Sequence, residues 1–513
     1  MINRRQFLRI TSAGALGLLT GMPSVLSIPP VGAEADNEDE FQPDLDITLI
    51  ATSSRVPILP GNPTWVWSFE GRVLRGDPSR LVNIEGSYLG PTIRANKGEK
   101  VRIRFTNNIP DVTIVHWHGL HVPAVMDGHP RYVIPLGQTY TYEFEVRNRA
   151  GTYWYHPHPH GRTGPQVYGG LAGLFLVSDN EEKAAGLPSG DYDIPLVIQD
   201  RIFDRNNQLI YAVENMMDRM TGFLGDRILV NGKPDFILPL ATRAYRLRLL
   251  NGSNSRIYKL AWQDGNPLTV IGTDGGLLEE PVQRSYVMLG PGERLELWAD
   301  FSHYQAGTET ALVSLPFGTG GIGNGMMGGG MMGSGQNLPN GAGFMIFRIK
   351  VNRREETTLS LPKRLSTLER YRFDDAVNSR NPRTFYLFMQ QMTWTINGRT
   401  FQMTEVANDE KVRLDTLEVW EFINEGGGME MMGMMSMPHP IHLHGNQFQV
   451  LGRSGVMHNG YVDDGWKDTV LLMPGERVKL LVGFDTYKGL YLYHCHNLEH
   501  EDMGMMRNYL VES

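Results

Sequence analysis

Short runs of alternating apolar and polar residues dominate the chain. "KVRIRFTNN" (100–108), "TYTYEFEV" (139–146) and "YRLRLLN" (245–251) place apolar side chains at every second position. A period of two sends alternate side chains to opposite faces of an extended strand, so these runs predict half-buried β-strands. Gly, Pro, Asn and Asp bound them, as turns require. Helical periodicity is scarce.

The runs recur in fixed order. "PGERLELWADF" (291–301) returns as "PGERVKLLVGFD" (474–485), with a weaker relative, "PLGQTYTYEFEV", at 135–146. "GTYWYHPHPH" (151–160) returns as "GLYLYHCHNLEH" (489–500), and "ILVNGKP" (228–234) as "WTINGRTF" (394–401). "VRIRFTNN", "RLRLLNGS" and "VWEFINEG" hold one matching place. Self-similarity in fixed order marks duplicated structural units. Three are predicted, at 47–180, 190–350 and 365–513. Strand-built units of this length read as Greek-key β-sandwiches, so the expected fold class is all-β.

Composition changes the picture in two places. Gly at 58 and Pro at 30 agree with turn-rich β structure, and a formal net charge of −8 offers no basis for nucleic acid or an anionic membrane as partner. The N-terminus reads as an address. "NRRQFLRI" carries Arg4 and Arg5, "ITSAGALGLLTG" is weakly apolar, and "VGA" ends at Ala33. Charged region, apolar region and small-residue cleavage site define a signal over 1–33, and the arginine pair resembles the twin-arginine (Tat) type. An exported chain, periplasmic or extracellular, is expected. Cleavage at Ala33 removes three arginines and no acidic residue, which moves the formal charge to −11. No other apolar run is long enough to span a bilayer, so no integral membrane segment is expected in the mature chain.

Export makes the cysteine count pointed. Cys495 is the single cysteine, so it cannot pair within the chain. Outside the cytoplasm such a thiol oxidises unless it is buried or bound to metal. Its neighbours are His494 and His496, and ten of the 15 histidines fall in four clusters: His116 and His118; His156 and His158; His439, His442 and His444; His494, His496 and His500. In a strand, each H-x-H aims two imidazoles at one face. The repeat sets His156 and His158 opposite His494 and His496, and His116 and His118 opposite His442 and His444. Eight imidazoles are thus expected to converge between the first and last units. Cys495 then points away from that space, where His439 and His500 can meet it. A thiolate, two imidazoles and a weak thioether make a blue-copper ligand set, with Met505 as the axial group.

The four motifs resemble those of the multicopper oxidases, the three-domain cupredoxin family of laccases and bacterial copper-efflux oxidases. The resemblance spans essentially the whole mature chain. It implies three cupredoxin-like domains and four copper ions. His439, Cys495, His500 and Met505 would hold type-1 copper, and His116 and His442 type-2 copper. His118, His156 and His496 would hold one type-3 ion, and His158, His444 and His494 the other. Members take electrons singly from a reduced substrate and reduce O₂ to water. The resemblance also places acids near the cluster, at Asp127 and Glu501, where a carboxyl group can relay protons. His160 corresponds to Leu498 and is expected outside the ligand set.

The reducing substrate is addressed by methionines. One cluster holds Met326, Met327, Met331 and Met332; another holds Met429, Met431, Met432, Met434, Met435 and Met437, the last two residues before His439. Thioether sulfur is soft and suits Cu(I). Copper-efflux oxidases place their Met-rich insertion early in the third domain, and an acid four positions before the type-1 histidine. Here the clusters lie elsewhere and Met435 occupies that position. The expected function is a cuprous oxidase in copper tolerance, taking Cu(I) or small phenols and acting as a monomer. The alternatives are a general laccase-like phenol oxidase and a copper-free cupredoxin-fold scaffold.

Overall fold

One strand arrangement occurs three times. Leu45–Val56 runs parallel to Lys100–Asn107, Asp193–Arg201 to Ala244–Asn251, and Arg383–Gln390 to Thr416–Asn424. The second strand of each pair then runs antiparallel to Thr139–Glu145, Arg294–Asp300 or Arg477–Phe484. The second and third strands of each set are those aligned by sequence repetition. The computed structural model describes residues 41–513, apart from 214–215, 319–337, 426–436 and 457. The expected signal over 1–33, and all the clustered methionines except Met437, lie outside the described residues.

Among the described residues six sheets form, and none mixes strands from different repeats. Their strands span 45–178, 193–353 and 383–512. Each repeat has its own apolar core, built from inward-facing positions such as Val101, Ile103 and Phe105 in the first. Alternation explains the burial: in Lys100–Asn107 every second side chain is buried. The sandwiches are cupredoxin-like. No described helix is long and apolar enough to cross a membrane.

A buried asparagine closes the same loop in every repeat. Asn107 Nδ2 donates to the carbonyls of Asp111 and Ile134, at 2.7 and 2.9 Å. Asn251 does so to Arg256 and Leu289, at 2.8 and 3.0 Å. Asn424 does so to Met437 and Leu472, at 2.8 and 3.2 Å. The chain between the asparagine and its first partner differs sharply. It advances 4 residues in the first repeat, 5 in the second and 13 in the third. The extra length in the third repeat is the methionine-rich stretch.

Candidate metal centres

Strand register assembles the histidines. Val115–His118 pairs with Gly151–Pro157, His116 opposite His156. His439–Leu443 pairs with Gly489–Cys495, His442 opposite His494. The eight imidazoles of the four H-x-H motifs are fully buried. Among the described residues, three all-histidine groups have ligand atoms within 4.8 Å of one another: His116, His118 and His442; His118, His156 and His496; His158, His444 and His494.

Cys495 faces the other side of its strand. Its Sγ lies 3.4 Å from His439 Nδ1 and 3.6 Å from His500 Nδ1. Met505 is buried in the same core, and its backbone ties the group together. Its N–H donates to the His500 carbonyl at 2.9 Å, and its carbonyl accepts from the Cys495 N–H at 3.0 Å. One strand therefore presents two histidines to the eight-imidazole space and a thiol to a second centre.

Hydrogen bonds decide which ring nitrogens are free. A backbone carbonyl only accepts, so a nitrogen bonded to one must carry the proton. His116 Nδ1 donates to the Asp127 carbonyl at 2.7 Å, and His442 Nδ1 to the Asp468 carbonyl at 2.8 Å. Their Nε2 atoms are then bare lone pairs, yet they face each other at 3.2 Å. Two acceptors that close repel, and a shared cation removes the repulsion. Nitrogens of His156, His158, His439 and His496 are likewise buried without a partner. Burial lowers the basicity of all ten imidazoles, to about 3 for His156 and His500 and about 4 for His494, which keeps them neutral donors. Burial also raises the Cys495 thiol, so a bound cation would have to draw off its proton.

Three carboxyl groups stand behind these rings. Asp127 Oδ2 lies 2.7 Å from His444 Nδ1. Glu501 Oε2 lies 3.2 Å from His494 Nδ1, and its Oε1 lies 3.6 Å from His158 Nε2. Asp468 Oδ1 accepts from His118 Nε2–H at 3.0 Å. Burial pushes Asp127 and Glu501 well above the usual carboxylate range. Asp468 instead meets a full positive charge, the guanidinium of Arg294.

Comparison with known proteins decides the family. Family models described as multicopper oxidase match residues 68–182 and 376–513. A multicopper oxidase of Staphylococcus aureus, mco, is 34% identical and aligns over 84% of each chain. The chain belongs to the multicopper oxidase family. A laccase of Bacillus stratosphericus is 32% identical over 84% of this chain and 90% of that one. The crystal structure of the McoA multicopper oxidase from the hyperthermophile Aquifex aeolicus superposes with a TM-score of 0.77 at 34% identity, covering 92% of this chain and 97% of that one. Membership implies copper, and the residues fit it: soft thiolate with imidazole at one centre, imidazoles alone at the other.

Several groups were not foreseen from sequence. Asp468 and Arg294 are two. Another is the carbonyl of Met220, on the short helix Met216–Thr221. It accepts from His500 Nε2–H at 2.9 Å and from Trp394 Nε1–H at 3.0 Å. His439 and His500 are both fully buried, with the Trp394 ring 4.7 and 5.1 Å from theirs. A tryptophan and a backbone carbonyl thus cover the two imidazoles of this centre. The expectation for His160 agrees with its exposed position beside Phe401.

Proposed function

We propose that this oxidase takes single electrons at a type-1 copper held by His439, Cys495, His500 and Met505, and that its preferred donor is Cu(I). When bound, that copper and the three held by the eight histidines would together supply four electrons to one O₂, which with four protons from solvent would give two waters. The carrying observation is the strand Gly489–Cys495. With His496, the residue just past its end, it sets His494 and His496 among the cluster and Cys495 Sγ beside His439 and His500, so a path of covalent bonds joins the two centres. Asp127 and Glu501 suit proton delivery. Among the described residues neither meets an Arg or Lys, whereas Asp468 does.

Two features favour Cu(I) over bulky phenols. The third-repeat loop is expanded only where the methionines are, and it ends two residues before His439. Phe317, just before the other methionine cluster, packs against the apolar cluster that contains Met473, which directly follows the carbonyl held by Asn424. The covered imidazoles further disfavour a donor that needs ring contact. Copper content near four ions per chain and a blue absorption band test the oxidase assignment. The ratio of Cu(I) to phenol turnover tests the donor. A ratio favouring phenols would make the laccase-like reading correct, and a copper-free protein would leave only the scaffold reading.

Export follows from the same proposal, because Arg4 and Arg5 open a Tat-type signal. Replacing both by Lys is expected to leave the protein in the cytoplasmic fraction. Unchanged export would show that the pair is not read.

A further inference from the structure

The "PGER" turn occurs in two repeats with opposite fates. Arg477 of the third repeat is exposed, whereas Arg294 of the middle repeat is 1% exposed. Every nitrogen of the Arg294 guanidinium is bonded. Nε donates to the Thr152 carbonyl of the first repeat at 3.0 Å. Nη1 donates to Gly292 O at 2.8 Å and to Asp468 Oδ1 at 2.7 Å. Nη2 donates to Asp274 O at 3.1 Å and to Asp468 Oδ2. The fork thus grips both oxygens of Asp468 in the third repeat, and the carboxylate cannot rotate.

Asp468 holds two cluster histidines at once. Its side chain accepts from His118 Nε2–H at 3.0 Å, and its carbonyl accepts from His442 Nδ1–H at 2.8 Å. His118 is thereby left to present Nδ1, which is buried and unpartnered, and His442 to present Nε2. The two rings come from different repeats and stack at 3.7 Å. The turn itself fits closely: a Cβ on Gly292, where φ is 84°, would stand 3.0 Å from the His496 ring and 3.2 Å from the His118 ring.

We infer that Arg294 and Asp468 are positioning residues of the histidine cluster. Through them the middle repeat, which supplies none of the assigned ligands, sets the tautomer and aim of His118 and His442 and so the cluster's hold on metal. This rests on the copper reading above. A carboxylate behind a ligating imidazole fixes its orientation and strengthens it as a donor, and losing such a partner weakens metal affinity about 10- to 100-fold.

The test compares copper-loaded wild type with Arg294→Lys and Asp468→Asn. Copper per chain, the blue band, the type-2 electron paramagnetic resonance signal and copper loss to a chelator are measured together. Arg294→Lys keeps the charge but loses the fork. It is expected to retain the full blue band while the type-2 signal shifts and cluster copper binds about 10- to 100-fold more weakly. Asp468→Asn is expected to show a larger effect of the same kind. If Asp468→Asn does not fold, Arg294→Lys alone decides. Wild-type affinity and an unshifted type-2 signal in Arg294→Lys overturn the inference. So does loss of the blue band in step with cluster copper, which would mark a general brace. A wild-type protein that binds no copper overturns the copper reading, and this inference with it.

Discussion

Cys495 and its two neighbours divide one strand between two centres, and single substitutions can separate them. Ser at position 495 keeps the size but supplies no thiolate, and its hydroxyl can bond to His439 or His500, which both face that atom. Cys495→Ser is expected to abolish the blue band and oxidase activity while most cluster copper remains, because the cluster uses imidazoles alone. A blue band in the variant would disprove the type-1 assignment. Met505 is fully buried beside Cys495, and Leu matches it in volume, so Met505→Leu should cost under about 1.5 kcal/mol of stability. It removes a weak sulfur donor that favours Cu(II), so the type-1 potential should rise, as read by redox titration. A lower or unchanged potential would point instead to Met503 or Met506 as the axial group. At this scale the sequence was readable wherever side chains alternate, because a period of two fixes which residues share a face. His116, His118 and Cys495 all obey it. Behind the rings, Asp127 and Glu501 were reached through the family resemblance, but the Met220 carbonyl, which has no side-chain identity, and Asp468, 350 residues from His118, were not readable.

Loops and strands carry the substrate argument. The three asparagine-closed loops are equivalent, yet only the third is long. Ordering a long loop costs conformational entropy, and glycines raise that cost, so a bare structural lid is a poor use of "GGGMEMMGMMSM". On the proposed reading, a soft-metal receptor would use both the methionines and the spacing, since glycines would let thioethers gather around an ion. Replacing Met429, Met431, Met432, Met434 and Met435 by Ser is expected to lower Cu(I) oxidation several-fold more than oxidation of a bulky phenol. Both rates should be measured with copper in excess, so that cofactor loss is not mistaken for substrate loss. Parallel loss, or unchanged Cu(I) turnover, would make the segment a cover. Sequence pattern revealed these methionines by composition, but it missed Met220. The short helix that carries Met220 has no apolar period long enough to stand out, and only packing over His500 gives it meaning.

Across the molecule, the proposed copper ions would share with the protein the task of joining the repeats. The repeats themselves were legible because duplicated strands keep their order and their turn residues. Their junctions were not, because the groups that meet there are far apart in sequence, as Arg294 and Asp468 are at 174 residues. The assigned cluster ligands come from the first and third repeats, and the middle repeat contributes Arg294. Without copper, the bare nitrogens of His116 and His442 still face each other at 3.2 Å, so the junction between the outer repeats should be the first part to loosen. Binding to the native state alone adds about 4 kcal/mol per site when free ligand stands at about 1,000 times Kd. For domains of this size each kcal/mol is worth roughly 2–4 °C, so each ion removed should lower Tm by on the order of 10 °C. Calorimetry should show one cooperative transition for the loaded protein and an earlier, split one for the stripped protein, with the first repeat parting from the third. Cluster-loaded Cys495→Ser should keep most of the difference, because the ions that bridge the outer repeats are still present. An unchanged transition after copper removal would mean that the histidines are not bridged by metal and that the repeats are held by protein contacts alone.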